Sequence, residues 1–252
     1  MKKLLYILSF LFCFGLFAQS DALFKQGNAL YNEGKYAEAI QKYDAILNTK
    51  KHSADLYFNL ANAHYKLNNI APSIFYYEKA LQLSPNDKDI KNNLAFARNM
   101  TVDAIGIVPE VGFSKLFKNV THSMSFDAWA KTAVILVFLF VILFLVYYFA
   151  YSTIRKRLTF IGSIVSLVLL CISLAFAFQK YALDKKDKPA IVFAQETQVK
   201  SEPNLRSEES FRLHEGTKVQ VVDSVNNWRK VKLSDGKTGW LASDDIKTLT
   251  AF

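Results

Sequence analysis

The sequence predicts a multidomain membrane protein: α-helical repeats, then a transmembrane helical hairpin, then a small all-β barrel. Three observations carry that prediction. Thr132 to Ile154 holds no charged residue over 23 positions, and Leu158 to Gln179 holds none over 22. Ser20 to about Met100 repeats itself at a spacing of 34 residues. From Ala190 onward the pattern changes to short alternating runs punctuated by turn residues.

A helix needs about 20 apolar residues to cross the hydrocarbon core of a bilayer, so residues 132–154 and 158–179 are each long enough. Only residues 155–157, Arg155-Lys156-Arg157, separate them. So short a connection forces a hairpin and leaves both flanks on one side. The positive-inside rule keeps Arg155, Lys156 and Arg157 in the cytoplasm and both soluble regions outside it. Tyr147, Tyr148 and Tyr151 near the turn, and Trp129 at the far end, suit the aromatic belts of a membrane interface.

The formal net charge is +9, and part of that excess lies at Lys2, Lys3 and the basic turn, where it serves topology. No element concentrates basic and aromatic residues, so no nucleic-acid partner is expected. Cys13 and Cys171 both fall in apolar stretches and build neither a disulfide framework nor a zinc site. His52, His64, His122 and His214 are scattered without metal-ligand spacing, and no cofactor is expected.

Residues 1–18 read as a secretory signal peptide. Lys2 and Lys3 form the charged start, Leu4 to Phe17 the apolar core, and Ala18-Gln19 the cleavage point. The bulky Leu16 at the −3 position leaves an uncleaved anchor as the alternative. Either outcome exports the repeat region behind it.

Residues 19–100 form the repeat region. With Ser20 and Ala54 as first positions, the eighth positions are Gly27 and Ala61 and the twentieth are Ala39 and Ser73. The twenty-fourth are Tyr43 and Tyr77, the twenty-seventh Ile46 and Ala80, and Pro85 closes the second unit. Antiparallel helices approach closely only where small residues meet, and a large aromatic fills the gap to the next helix. This pattern resembles the tetratricopeptide repeat. Asn32-Glu33-Gly34-Lys35 and Asn68-Asn69 are the turns inside each unit. Lys88 to Asn99 reads as a capping helix, because a repeat array must cover its last apolar face. Two repeats and a cap are few, and support from the membrane-proximal segment is expected.

Residues 101–131 link the repeats to the membrane. Phe113 to Lys118 alternates apolar and basic residues, and is either an interfacial segment or a short helix packed on the repeats. After the spans, residues 180–189 read as a charged spacer and residues 190–252 as the barrel. Thr217 to Val222 places Val219 and Val221 on one face, and Trp228 to Leu233 does the same with Val231 and Leu233. Asp235-Gly236 is a two-residue hairpin signal, and Gly239-Trp240-Leu241 and Ile246 to Leu249 come after it. The series Pro203, Phe211, Glu215-Gly216-Thr217, Trp228, Val231, Asp235-Gly236 and Gly239-Trp240 resembles the bacterial SH3-like (SH3b) domain. Trp228 and Trp240 read as packing residues rather than ligand contacts, so Trp228→Ala is expected to unfold the barrel.

No catalytic constellation is visible. There is no phosphate-binding glycine loop, no Gly-x-Ser-x-Gly elbow and no His-Glu-x-x-His helix, and neither span carries an Asp, Glu, Lys, Arg or His. The expectation is therefore a non-enzymatic scaffold or adaptor. Its binding face is the surface formed by the first helix of each repeat. Phe24, Asn28 and Tyr31 are expected to line it from the first unit, and Phe58, Asn59, Asn62 and Tyr65 from the second. Tyr31 and Tyr65 are equally readable as helix-packing residues, and Phe24 and Phe58 have an alternative reading as inter-repeat core. Some tetratricopeptide domains hold a partner's terminal carboxylate with two Asn and flanking basic residues. Asn28 and Asn59 match the two Asn positions, but Phe24, Asn92 and Phe96 replace the basic ones. An apolar or amide-rich peptide suits this surface better.

The order of modules, with the Ser125-Phe126-Asp127-Ala128-Trp129-Ala130 entry to the first span, resembles the BatE proteins of the Bacteroidetes aerotolerance operon. That resemblance implies a bacterial inner-membrane protein crossing twice, with both soluble domains periplasmic. It also implies a complex with von Willebrand factor A-domain membrane proteins and a MoxR-type AAA ATPase, linked to envelope or oxidative stress. The alternative is a cell-wall sensor or anchor whose SH3b domain binds peptidoglycan.

Overall fold

The computed structural model describes residues 20–106 and 112–249; the expected signal peptide with Cys13, Pro109 of the linker and the last three residues lie outside these. The chain forms two units, residues 1–107 together with 188–252, and residues 108–187.

The first unit opens with five helices: α1 over residues 20–32, then α2 (Tyr36–Leu47), α3 (Ala54–Lys66), α4 (Ile70–Leu83) and α5 (Lys88–Arg98). Local chemistry sets their ends. The Ser53 hydroxyl accepts from the Leu56 amide at 3.1 Å, and the Asp87 carboxylate accepts from the Asp89 and Ile90 amides at 2.9 and 3.1 Å. Such caps satisfy amides that the first helical turn leaves without partners. Asn68 comes just after α3 at φ 59° and closes it in the left-handed conformation. Where the helices cross, the small positions meet rings: a Cβ on Gly27 would lie 2.5 Å from the Tyr43 ring. Ile90, Leu94 and Ala97 of α5 are buried in one cluster with α3 and α4.

Seven strands come after the hairpin: β1 (Pro189–Val192), β2 (Glu196–Lys200), β3 (Glu209–His214), β4 (Lys218–Val225), β5 (Trp228–Lys232), β6 (Thr238–Ala242) and β7 (Ile246–Thr248). All pair antiparallel in the order β3-β2-β6-β5-β4-β1-β7. Every strand sends a side chain into one aliphatic cluster, including Val192, Val199, Leu213, Val219, Val231, Leu241 and Ile246. The edge strands of a flat seven-stranded sheet would lie about 29 Å apart, so one shared core requires the sheet to curl. Two expectations change. The β5–β6 loop has three residues, because Gly236, at φ 93°, donates to the Leu233 carbonyl while Leu233 donates to Lys237. A turn closed by a left-handed glycine is the usual three-residue hairpin. Trp228 is only half-buried and lies outside the aliphatic cluster, whereas Trp240 is buried. The strand order explains this: Trp228 opens β5 beside the exposed Val225, at the tip of the β4–β5 hairpin.

The repeats and the barrel belong to the same unit and share a core. Ile191 and Leu249 join the cluster of Tyr57, Ile74, Tyr77 and Ile90. Phe193 meets Phe75 edge-on at 5.7 Å, and the Gln82 amide donates to the Leu249 carbonyl at 2.9 Å. Gly216, at φ 84°, turns between β3 and β4 so close to the repeats that a Cβ there would lie 2.8–2.9 Å from Thr101, Ile70 and Ile74. Glu78 is buried and accepts from Arg98 at 2.5 Å and from Lys218 at 2.8 Å. Two cations around a buried carboxylate offset the cost of removing it from water. Asp103 accepts from the His214 amide at 2.7 Å and the Thr217 hydroxyl at 2.6 Å, and its other oxygen lies 2.7 Å from His214 Nδ1. The start of the linker is therefore fixed on the barrel rather than free. The barrel also covers apolar surface that α4 leaves open, beside the linker start with Asp103 and Ile105.

The second unit contains α6 (Phe113–His122), α7 (Phe126–Phe149) and α8 (Thr153–Lys186). Both long helices are long and apolar enough to cross a membrane. They run past the uncharged stretches: α7 starts before Thr132, and α8 takes in most of the expected spacer, with Lys180 paired to Asp184 one turn on. The chain reverses at Ala150, Tyr151 and Ser152, where Ala150 and Ser152 are extended (ψ 138° and 130°). Arg155, Lys156 and Arg157 consequently fall at the start of α8 instead of forming the reversal itself. Both Arg and Lys are good helix formers, so nothing in the triplet resists that conformation. Small residues line the contact between the helices: Ser163, Ser166, Ser173 and Ala177 are buried. Ser166 donates to the Leu136 carbonyl at 2.9 Å and Ser173 to the Trp129 carbonyl at 2.8 Å. Close approach with hydroxyl-to-backbone bonds is how helices associate in lipid, where apolar contact alone gives no preference.

Candidate partner-binding groove

The first helix of each unit, α1, α3 and α5, presents one face, and a hydrogen-bond ladder at the repeat period organises it. Asn28 Oδ1 accepts from the Tyr43 hydroxyl at 2.8 Å and from Asn59 Nδ2 at 3.0 Å. One repeat later, Asn62 Oδ1 accepts from the Tyr77 hydroxyl at 2.5 Å and from Asn93 Nδ2 at 3.0 Å. The physical need is plain. A tyrosine large enough to fill the space between helices brings its hydroxyl to the groove floor, and a buried hydroxyl requires a partner. Burial raises Tyr43 to about 12 and raises Tyr77 as well, so both hydroxyls stay protonated and donate at any physiological pH.

Two cavities open above this ladder. One, of about 260 Å³, is lined by Asn28, Tyr31, Asn32, Tyr43 and Asn59. The other, of about 270 Å³, is lined by Tyr31, Asn62, Tyr65, Lys66, Tyr77, Asn93 and Phe96. Tyr31 borders both, so they form one aromatic and amide surface. Lys66 is the only charged side chain among these lining residues.

Five of the expected residues, Asn28, Tyr31, Asn59, Asn62 and Tyr65, come together here. Phe24 and Phe58 do not line these cavities. Each lies 6.0 Å, centroid to centroid, from the tyrosine of its own repeat, Tyr43 and Tyr77 respectively, and packs against the core. Phe24 instead borders a separate cavity of about 540 Å³ with Ile46, Lys51 and His52. Asn28 and Asn59, the pair at the carboxylate-clamp positions, are bonded to each other. Lys66 and Asn93 were not singled out from the sequence. Asn93 was findable, since it stands 34 residues after Asn59.

Among the described residues no group of three His, Cys, Asp or Glu is placed to hold a metal ion. Residues 54–87 match the family model of the tetratricopeptide repeat, residues 27–68 match a second model of the same repeat, and residues 196–247 match the bacterial SH3 domain. No curated protein matches the chain. The protein is thus a chain of helical repeats, two apolar helices and a bacterial SH3 sheet. Both matched modules are typical of interaction rather than catalysis.

Proposed function

We propose that this protein is a non-enzymatic, membrane-anchored adaptor that recruits a protein partner into the groove bordered by Tyr31, Asn62, Tyr65, Lys66 and Phe96. The observation that carries this reading is the ladder itself. It fixes the floor internally, while Asn28, Tyr31, Asn62 and Tyr65 stay half-buried along the cavities and Phe96 is 60% exposed. Such a surface suits an extended, apolar or amide-rich segment. Both soluble modules lie on the side opposite Arg155, Lys156 and Arg157, which is periplasmic in a bacterial inner membrane. Two things support that placement: the positive-inside rule, and the shared core of repeats and barrel, which requires both flanks of the hairpin on one side. The resemblance to BatE proteins supplies the candidate partners, von Willebrand factor A-domain membrane proteins with a MoxR-type AAA ATPase in an aerotolerance complex.

The test uses Lys66→Ala with Phe96→Ala. Neither side chain belongs to the ladder. In contrast, Asn28→Ala or Asn62→Ala would strand a buried tyrosine hydroxyl at a cost of about 1–3 kcal/mol. Affinity purification of the full chain from detergent-solubilised membranes should lose its partner in the double variant while the melting temperature stays unchanged. Undiminished partner recovery overturns the groove reading. A second reading, peptidoglycan binding by the SH3 module, is favoured by the half-buried Trp228 on β5. Co-sedimentation of the protein with purified sacculi, lost on Trp228→Ala, would establish it.

A further inference from the structure

We infer that α6 is an in-plane amphipathic helix whose apolar stripe enters the headgroup boundary of the bilayer beside the hairpin; this rests on reading α7 and α8 as membrane spans. At 100° per residue, Leu116, Val120 and Phe117 fall within one arc of about 100°, and Lys115 and Asn119 lie off it. A packed helix would bury that stripe. Here Leu116 is 59% exposed, Phe117 45% and Val120 38%. Among the described side chains of α6, Phe117 and Thr121 mark the engaged edge. Phe117 lies 5.5 Å from Phe176 of α8, and the Thr121 carbonyl accepts from Trp129 Nε1 of α7 at 3.3 Å.

Those anchors set the depth. The 24 residues of α7 span about 36 Å, longer than a hydrocarbon core of about 30 Å. Lys131 keeps the first turns of α7 out of that core, so Trp129 stands at the interface. Phe126 against Tyr181 (5.8 Å) and Trp129 against Phe176 (5.0 Å) form an aromatic collar at the same level. Only Ser123, Met124 and Ser125 separate α6 from α7, so α6 cannot leave that level. The free stripe of α6 therefore continues the exposed apolar faces of the spans, and Lys115 is available to anionic headgroups. The partner that fits is a lipid surface.

Spin labels test this on the full chain, with Cys13 and Cys171 replaced by alanine, in vesicles of phosphatidylethanolamine and phosphatidylglycerol. Labels replace Leu116, Asn119 and Val120 in turn, with Phe144 and Val168 as mid-span controls. Collision with oxygen is compared with collision with a water-soluble nickel chelate. The oxygen-to-chelate ratio should be several-fold higher at 116 and 120 than at 119. Equal chelate access at all three, with lipid-exposed labels at 144 and 168, overturns the inference alone. Chelate access at 144 and 168 overturns the membrane reading and the inference together.

Discussion

The repeats and the barrel fill their cores with different chemistry. The repeats bury Tyr43 and Tyr77 among alanines; the barrel buries Val192, Val199, Val219, Val221 and Val231 with a few leucines and isoleucines. Helices pack 8–10 Å apart, and a large ring bridges that distance where alanine lets the backbones approach. Strands lie about 4.8 Å apart, and β-branched side chains fit that pleat. The aromatic solution brings hydroxyls to a surface and so builds the asparagine ladder and a groove. The aliphatic solution leaves a dry interior, and aromatics such as Trp228 are left outside it.

The largest break in this comparison comes from the dry core. Leu241 is fully buried in the aliphatic cluster. Leu241→Ala should cost about 2–5 kcal/mol, read by denaturant unfolding of the solubilised protein. A loss near zero would show that the sheet does not close on one core.

Gly216 tests whether the two cores are joined. Alanine there meets a left-handed backbone and three side chains at under 3 Å. Gly216→Ala should cost about 2 kcal/mol and expose the barrel–repeat contact to proteolysis around residues 101–106. Wild-type protease resistance would mean that the modules dock without this close approach.

Acid should weaken the same contact in two steps. Burial, and then the charge of Lys247 on β7, lower His64 from 6.5 to about 4, so it is neutral in the folded protein. The unfolded chain binds that proton first, so stability falls as pH drops from 6.5 to about 4, by about 1–2 kcal/mol after allowing for partial exposure. His64→Gln should flatten this window in denaturation measured across pH. Asp103 acts lower. Burial alone would raise its carboxyl, but the Thr217 hydroxyl and His214 outweigh that and hold it below 3.8. Its contribution is complete above 3.8 and is lost as pH falls below that through the lowered value. A pH-independent melt would remove both groups from the account.

The smallest effect is expected at Trp228. Half-buried at a hairpin tip, its truncation should cost under about 1 kcal/mol, against the 3–5 kcal/mol expected of a buried ring. A collapse in melting temperature would restore the packing role read from the sequence.

Much of the fold was legible because its signals are local. Uncharged length marks the two long apolar helices, and small residues 34 apart mark the repeats, as does the pair Asn28 and Asn62 at the same spacing. Alternation around Val219, Val221, Val231 and Leu233 marks β4 and β5. Of the candidate groove, the repeat positions of Asn28, Tyr31, Asn59, Asn62 and Tyr65 made it legible that they come together along the two cavities. Phe24 and Phe58 are readable as groove or as inter-repeat core, because the same helical register serves both, and only the neighbouring tyrosines decide between them. The exact reversal of the hairpin was hidden too, since Arg155 to Arg157 are as compatible with the start of a helix as with a loop.

What the sequence determined by itself, then, is whatever depends on a short window or a fixed period: apolar length, repeat spacing, strand alternation and turn glycines. What only the tertiary structure decided is the joining of the two soluble modules into one unit. Asp103 meets His214 across 111 positions, Glu78 meets Lys218 across 140, and Gln82 meets the Leu249 backbone across 167. Contacts at such separations leave no pattern in either segment, because each partner is an ordinary surface residue until the hairpin returns the chain and the barrel closes over α4.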